Sequence, residues 1–175
     1  WVTPSPVLGT NSSSPSVVNN TVYQGGEKLF ALDSETGLIK WVFKENTKFI
    51  ASPTIVNDVI YIGSQDNYFY AINAITGEIK WKVSAQKSIY TSAVVQNDLV
   101  YFATTGSISN YVNAINIHNG EIKWTFFHDY PFDSSPIFFN DRLFIASSRA
   151  VMALDANTGV LKWKRSPIYI DEGFR

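Results

Sequence analysis

The sequence predicts an all-β protein: a β-propeller of four-stranded antiparallel blades with four repeats present, forming either a partial or a small propeller. Two observations carry this expectation. An eleven-residue segment recurs four times without a gap. No stretch sustains a 3.6-residue apolar period, so helix content should be near zero. The copies read ALDSETGLIKW (Ala31 to Trp41), AINAITGEIKW (Ala71 to Trp81), AINIHNGEIKW (Ala114 to Trp124) and ALDANTGVLKW (Ala153 to Trp163). The tryptophans are spaced 40, 43 and 39 residues apart, the length of one four-stranded blade (about 40 residues).

Each repeat begins with a second shared element: SSPSVVNNTVY from Ser13, ASPTIVNDVIY from Ala51, TSAVVQNDLVY from Thr91 and SSPIFFNDRLF from Ser134. Two apolar runs flank a polar pair, which describes two strands and a tight hairpin. Asn19-Asn20, Asn57-Asp58, Asn97-Asp98 and Asn140-Asp141 are residue types that tolerate positive φ at both central positions. In the second repeat the strands are expected near Ser52–Asn57, Val59–Ser64, Tyr68–Asn73 and Glu78–Val83. Alternation along the last would set Ile79, Trp81 and Val83 on one face.

Gly37, Gly77, Gly120 and Gly159 each follow an Asp/Asn-x-x-Thr/Asn stretch. The acidic or amide side chain can accept a backbone N–H two residues on, and glycine then takes the left-handed conformation that returns the chain. A calcium loop is the alternative at Asp155-Ala156-Asn157-Thr158-Gly159, but the later ligands are missing. Trp41, Trp81, Trp124 and Trp163 are expected to dock between adjacent blades, with the indole N–H on a neighbouring carbonyl. Lys40, Lys80, Lys123 and Lys162 flank them on the opposite face. They keep outer strands soluble and resist edge pairing, or form a basic row for an anionic partner. Gly25-Gly26 reads as a hairpin turn.

Composition sets outer bounds. The chain has 175 residues, 45% of them hydrophobic and 15% aromatic, enough to bury a core. A net charge of −1 provides no field for nucleic acid. Apolar runs are too short for membrane insertion. With no cysteine, disulfides, thiol catalysis and cysteine-ligated metals are excluded. Two glycosylation triplets occur, at Asn11 and Asn19. There is neither a Gly-x-Ser-x-Gly elbow nor a phosphate-cradling glycine loop.

The pattern Ala-Leu/Ile-Asp/Asn-x-x-Thr-Gly-x-x-x-Trp, preceded by Ser-Pro and a Val/Ile run, resembles the pyrroloquinoline-quinone (PQQ)-type propeller repeat over essentially the whole chain. That family includes quinoprotein dehydrogenases, the lipoprotein of the outer-membrane assembly machine and receptor-like domains attached to kinases. The resemblance implies the fold strongly and the function weakly. The dehydrogenase branch uses an eight-blade ring, a quinone, calcium and a catalytic aspartate, commonly with a disulfide of adjacent cysteines. No residue here matches that set, so no catalytic residue, metal ligand or cofactor is carried over.

The chain is expected to be a single repeat domain over 1–175, with repeats near 1–41, 42–81, 82–124 and 125–163. Residues 164–175 would begin a further repeat or form a tail. Trp1 stands 40 residues before Trp41, as though ending an earlier copy. Four periods suit a closed ring, an open arc or half of a larger ring completed by a second copy or by the parent chain. The loops between blades, Lys44–Ala51, Ser84–Thr91 and Phe127–Ser134, should converge near the axis. They carry Phe49, Tyr90, Tyr130 and Phe132 with Lys48, Lys87, Asp129 and Asp133, a mixture suited to a peptide or small ligand. The same aromatics could instead plug the blade ends. The third repeat is lengthened at Thr104–Tyr111, adding polar surface to that rim. His118 and His128 have no partner at metal-ligand spacing and read as solvated loop residues, the latter near the axis. The leading expectation is a non-catalytic module for protein, peptide or small-ligand binding, within an exported or cell-surface protein. A dehydrogenase fragment and a dimerising sensory ectodomain are the alternatives.

Overall fold

Local chemistry closes the hairpins first. Asn19 and Asn20, Asn57 and Asp58, Asn97 and Asp98, and Asn140 and Asp141 all hold φ between 47° and 57°. Two consecutive left-handed residues make the turn whose twist matches that of paired strands. The computed structural model describes residues 13–166; Trp1, the Asn11 side of the first glycosylation triplet and the tail after Ser166 lie outside them.

Four antiparallel sheets result, each with its strands in chain order. The first blade is β1 (Ser16–Val18), β2 (Thr21–Gln24), β3 (Phe30–Asp33) and β4 (Ile39–Val42). The second is β5 (Thr54–Val56), β6 (Val59–Gly63), β7 (Tyr68–Asn73) and β8 (Ile79–Ser84). The third is β9 (Val94–Gln96), β10 (Leu99–Ala103), β11 (Asn110–Asn116) and β12 (Ile122–His128). The fourth is β13 (Ile137–Phe139), β14 (Arg142–Ser147), β15 (Ala150–Asp155) and β16 (Leu161–Arg165). No helix occurs among the described residues.

One detail differs from simple alternation. Ala71 pairs with Trp81, but Ile72 pairs with Ile79, so Lys80 is an extra residue in a bulge. The same irregularity recurs in all four blades. A bulge shifts the facing of the strand by one residue. Ile79 therefore lies on the face opposite Trp81, and it is 37% exposed.

Each turn after the third strand forms as its residues dictate. Asp33 Oδ1 accepts the Thr36 N–H at 2.9 Å and the Thr36 hydroxyl at 2.8 Å. Asn73 Oδ1 accepts from Ile75 at 2.8 Å, and Asp155 Oδ1 from Thr158 at 3.0 Å. The glycine that follows has φ of 72–75°. Both Asp155 oxygens are engaged, since Lys162 bonds Oδ2 at 3.0 Å. These contacts favour the carboxylate form and hold Asp155 down to about 2.

The blades meet in three seams. Trp41 donates its indole N–H to the Ala74 carbonyl at 3.0 Å, Trp81 to Ile117 at 2.9 Å and Trp124 to Ala156 at 2.9 Å. Each acceptor belongs to the next blade. Beneath the indoles lie three core clusters, one per seam. Phe43, Phe49 and Tyr70 meet edge-to-face in the first, and Phe69 stacks on Phe102 at 4.2 Å in the second. Among the described residues no core cluster joins the fourth blade to the first. Among the described residues the seams run in order from the first blade to the fourth.

A hydroxyl ladder links the innermost strands. The Ser14 N–H reaches Ser52 Oγ at 2.9 Å, Ser52 N–H reaches Ser92 Oγ at 3.2 Å, and Ser92 N–H reaches Ser135 Oγ at 3.0 Å. A second rung runs from Ser16 Oγ to the Pro53 carbonyl and from Thr54 Oγ1 to that of Ala93. It stops where Val94 replaces the hydroxyl.

Candidate binding face

The three crossovers between blades share one backbone plan. In each, the eighth residue after the tryptophan (Phe49, Ile89 or Phe132) is buried. Each crossover is tied to the turn between the second and third strands of its neighbouring blades. Phe49 N–H bonds the Gly26 carbonyl, and Gln65 N–H bonds that of Lys48. Ile89 N–H bonds Ser64, and Thr105 N–H bonds Ser88. Ser148 N–H bonds Pro131, while the Thr105 hydroxyl bonds the Phe132 carbonyl. Crossovers and these turns thus make one continuous face, opposite the tryptophan seats. Gly25 allows the close approach: a Cβ there would stand 2.6 Å from the Phe49 carbonyl oxygen.

The residues expected to bind separate into two groups. Phe49 and Phe132 are buried and plug the seams, so neither offers a surface to a ligand. Tyr90 is 44% exposed and Tyr130 40%. Lys48 is mated to Glu27 at 2.7 Å. Lys87 lies half-buried along Gly106 in the lengthened turn of the third blade, which does join the same face. Asp129 and Asp133 are exposed.

His128 departs from its expected solvated state. It closes β12, the outermost strand of its blade, and is buried. Its Nε2 lies 3.1 Å from Ser147 Oγ, and its ring packs against Phe132 at 5.6 Å and Tyr130 at 5.7 Å. Burial first, then the Lys164 charge, lowers its pKa from the ordinary histidine value, against a smaller opposing effect of Asp129. The neutral ring is favoured. His118 stays exposed, 3.7 Å from Asp98.

Sequence reasoning missed Arg149. It stands on the turn between β14 and β15, and its guanidinium covers Tyr130 at 5.2 Å from the ring centroid. No spacing rule brings these two together; only the stitched crossover does.

A family model described as outer membrane protein assembly factor BamB matches residues 3–125. The chain belongs to that family. No curated protein sequence matches the chain. Among solved structures, BamB from Moraxella catarrhalis is similar at a TM-score of 0.73 and 18% identity, over 89% of this chain and 49% of that one. The quinohemoprotein alcohol dehydrogenase ADHIIG from Pseudomonas putida HK5 is similar at 0.79 and 18%, over 90% and 34%. The computationally designed Ika8 protein is similar at 0.74 and 14%, over 86% and 48%. Identities this low carry the fold alone. The chain spans a third to a half of these relatives' length.

The family's dehydrogenase members raise the question of a quinone and a calcium ion. Among the described residues, no three His, Asp or Glu side chains converge to hold a metal. The ordered carboxylates of Asp33 and Asp155 are already committed to turns and to Lys40 and Lys162. These residues do not fit that group.

Proposed function

We propose that this chain is a non-catalytic binding scaffold whose crossover face takes a protein or peptide segment, within an exported, extracytoplasmic protein. The observation that supports it is a rigid backbone bearing variable side chains. At equivalent crossover positions stand Thr47, Lys87 and Tyr130, then Ile50, Tyr90 and Asp133, on loops hydrogen-bonded to both adjoining blades. A uniform frame with a non-uniform rim presents a recognition surface. The BamB family description fits a protein partner in outer-membrane assembly.

The test is site-directed photocrosslinking in the full-length parent protein. A crosslinker at Tyr90 should yield a discrete protein adduct, while one at Ile75, exposed on the opposite face, should not. Adducts from Ile75 alone would overturn the reading. The second reading, a dehydrogenase fragment, draws on the fold likeness. It would prevail if the chain, supplied with quinone and calcium, reduced a dye with an alcohol or sugar.

A further inference from the structure

Resting on the scaffold reading, we propose that the seam between the third and fourth blades carries a carboxylate-binding site for an acidic peptide, built from Arg149, Tyr130 and Lys164.

Three observations support it. In the first crossover the residue equivalent to Tyr130 is Thr47, which is buried and bonds inward to Ser64. In the third, His128 makes the inward bond to Ser147 instead, and position 130 is left facing solvent with an aromatic ring. Second, Arg149 is rooted rather than loose. Ser147 Oγ accepts the backbone N–H of Arg149 at 3.3 Å and of Ala150 at 3.1 Å, and the guanidinium lies on Tyr130. Third, five lysines are mated, Lys40 with Asp33, Lys48 with Glu27, Lys82 with Glu45, Lys123 with Glu121 and Lys162 with Asp155. Arg149, by contrast, belongs to the cations that have no such mate: among the described residues no carboxylate lies within 4.0 Å of it.

A guanidinium stacked on a ring keeps its N–H fork directed outward, the geometry that takes a carboxylate through two parallel bonds. Lys164 pairs with Met152, whose side chain lies in the core of this same seam, and so adds a second positive charge on the side of the fourth blade that faces Asp129 and Asp133. His128, whose neutral form burial favours, packs edge-on against Tyr130.

The probe is a fluorescein-labelled Ala-Glu-Phe-Glu-Ala peptide, read by polarisation at low salt, beside its Ala-Gln-Phe-Gln-Ala twin. The acidic peptide should bind at least about tenfold more tightly than the twin, as expected where a charge-assisted pair is gained. Arg149→Gln should abolish that preference, and Tyr130→Ala should weaken it severalfold. Lys48→Gln, on a lysine already paired, should leave it intact. Equal binding of the twins, no binding of either, or an unchanged preference in Arg149→Gln would overturn the proposal. If the Tyr90 adduct persists in Arg149→Gln while the twins bind alike, the acidic site falls and the scaffold reading stands.

Discussion

The seam between the third and fourth blades makes the glycine and tryptophan of the repeat one device, and this can be measured. A Cβ added to Gly159 would stand 2.6 Å from Trp124 Cε3 and 2.7 Å from Cδ2, and Gly159 holds φ at 72°. Gly159→Ala therefore incurs two penalties. The left-handed backbone disfavours a side chain by about 1–2 kcal/mol. Forcing a methyl into the indole adds about 1–3 kcal/mol by overpacking. Their sum is about 2–5 kcal/mol. Trp124→Ala alone should lose about 3–5 kcal/mol, as large aromatic truncations do. In the double variant the indole is gone, so only the backbone penalty of about 1–2 kcal/mol should be added to that of Trp124→Ala. Urea unfolding followed by far-ultraviolet circular dichroism gives all four stabilities. The coupling expected is about 1–3 kcal/mol. Strict additivity would refute the idea that the ring sits on the glycine.

Three further outcomes are expected. Trp81→Ala should lose about 3–5 kcal/mol, and Trp163→Ala clearly less. Trp163 keeps its tilt over Phe144 at 6.0 Å, but among the described residues its N–H meets no carbonyl; equal losses in urea unfolding would contradict this. Tyr101→Phe should leave stability unchanged or raise it, because the buried Tyr101 hydroxyl has no partner among the described residues. Tyr23→Phe, which removes a bond to the Ala74 carbonyl, should lose about 0.5–1.5 kcal/mol. A greater loss at Tyr101 would argue against the orphaned hydroxyl. Because the folded state lowers the His128 pKa, the unfolded chain binds the proton more readily. Stability is then complete above the ordinary histidine value of about 6.5 and declines as pH falls through it towards the folded value. The urea midpoint should drop less between neutral pH and about pH 5 in His128→Gln than in the wild type. An identical drop would place the responsible group elsewhere.

What was legible in the sequence was whatever one blade decides for itself. The Asn-Asp pairs, the Asp33-type turns and the glycines act over a few residues, so their chemistry can be read locally. The tryptophan contact across the seam was also foreseeable, because an indole N–H that is buried needs an acceptor. The bulge at Lys80 was not. Alternation argues for an unbroken strand, and only the pairing of Trp81 with Ala71 and Ile79 with Ile72 reveals the extra residue. The serine ladder was visible as a run of small residues, yet the role of Ser52 and Ser92 depends on how closely neighbouring inner strands approach. Distances between blades are not written in either strand alone.

The candidate binding face shows the same division more sharply. Phe49 and Tyr90 both stand in crossovers and both are aromatic, but one is buried and the other is 44% exposed. The difference is one step of register: Phe49 occupies the plug position and Tyr90 the position after it. Composition cannot separate them, whereas counting eight residues from each tryptophan does. By that count Phe132 is a plug and Tyr130 stands two residues earlier, where its neighbour is set by the following blade's turn rather than by its own loop. That turn is a single short connection bearing Arg149, so the character of the rim is decided by pairs of segments from adjacent blades. Substitutions at exposed rim positions such as Tyr90 and Tyr130 can then change the chemistry of the face while the tryptophan seats on the opposite side stay untouched, whereas substitutions at the plug positions Phe49 and Phe132 reach the core of the seam.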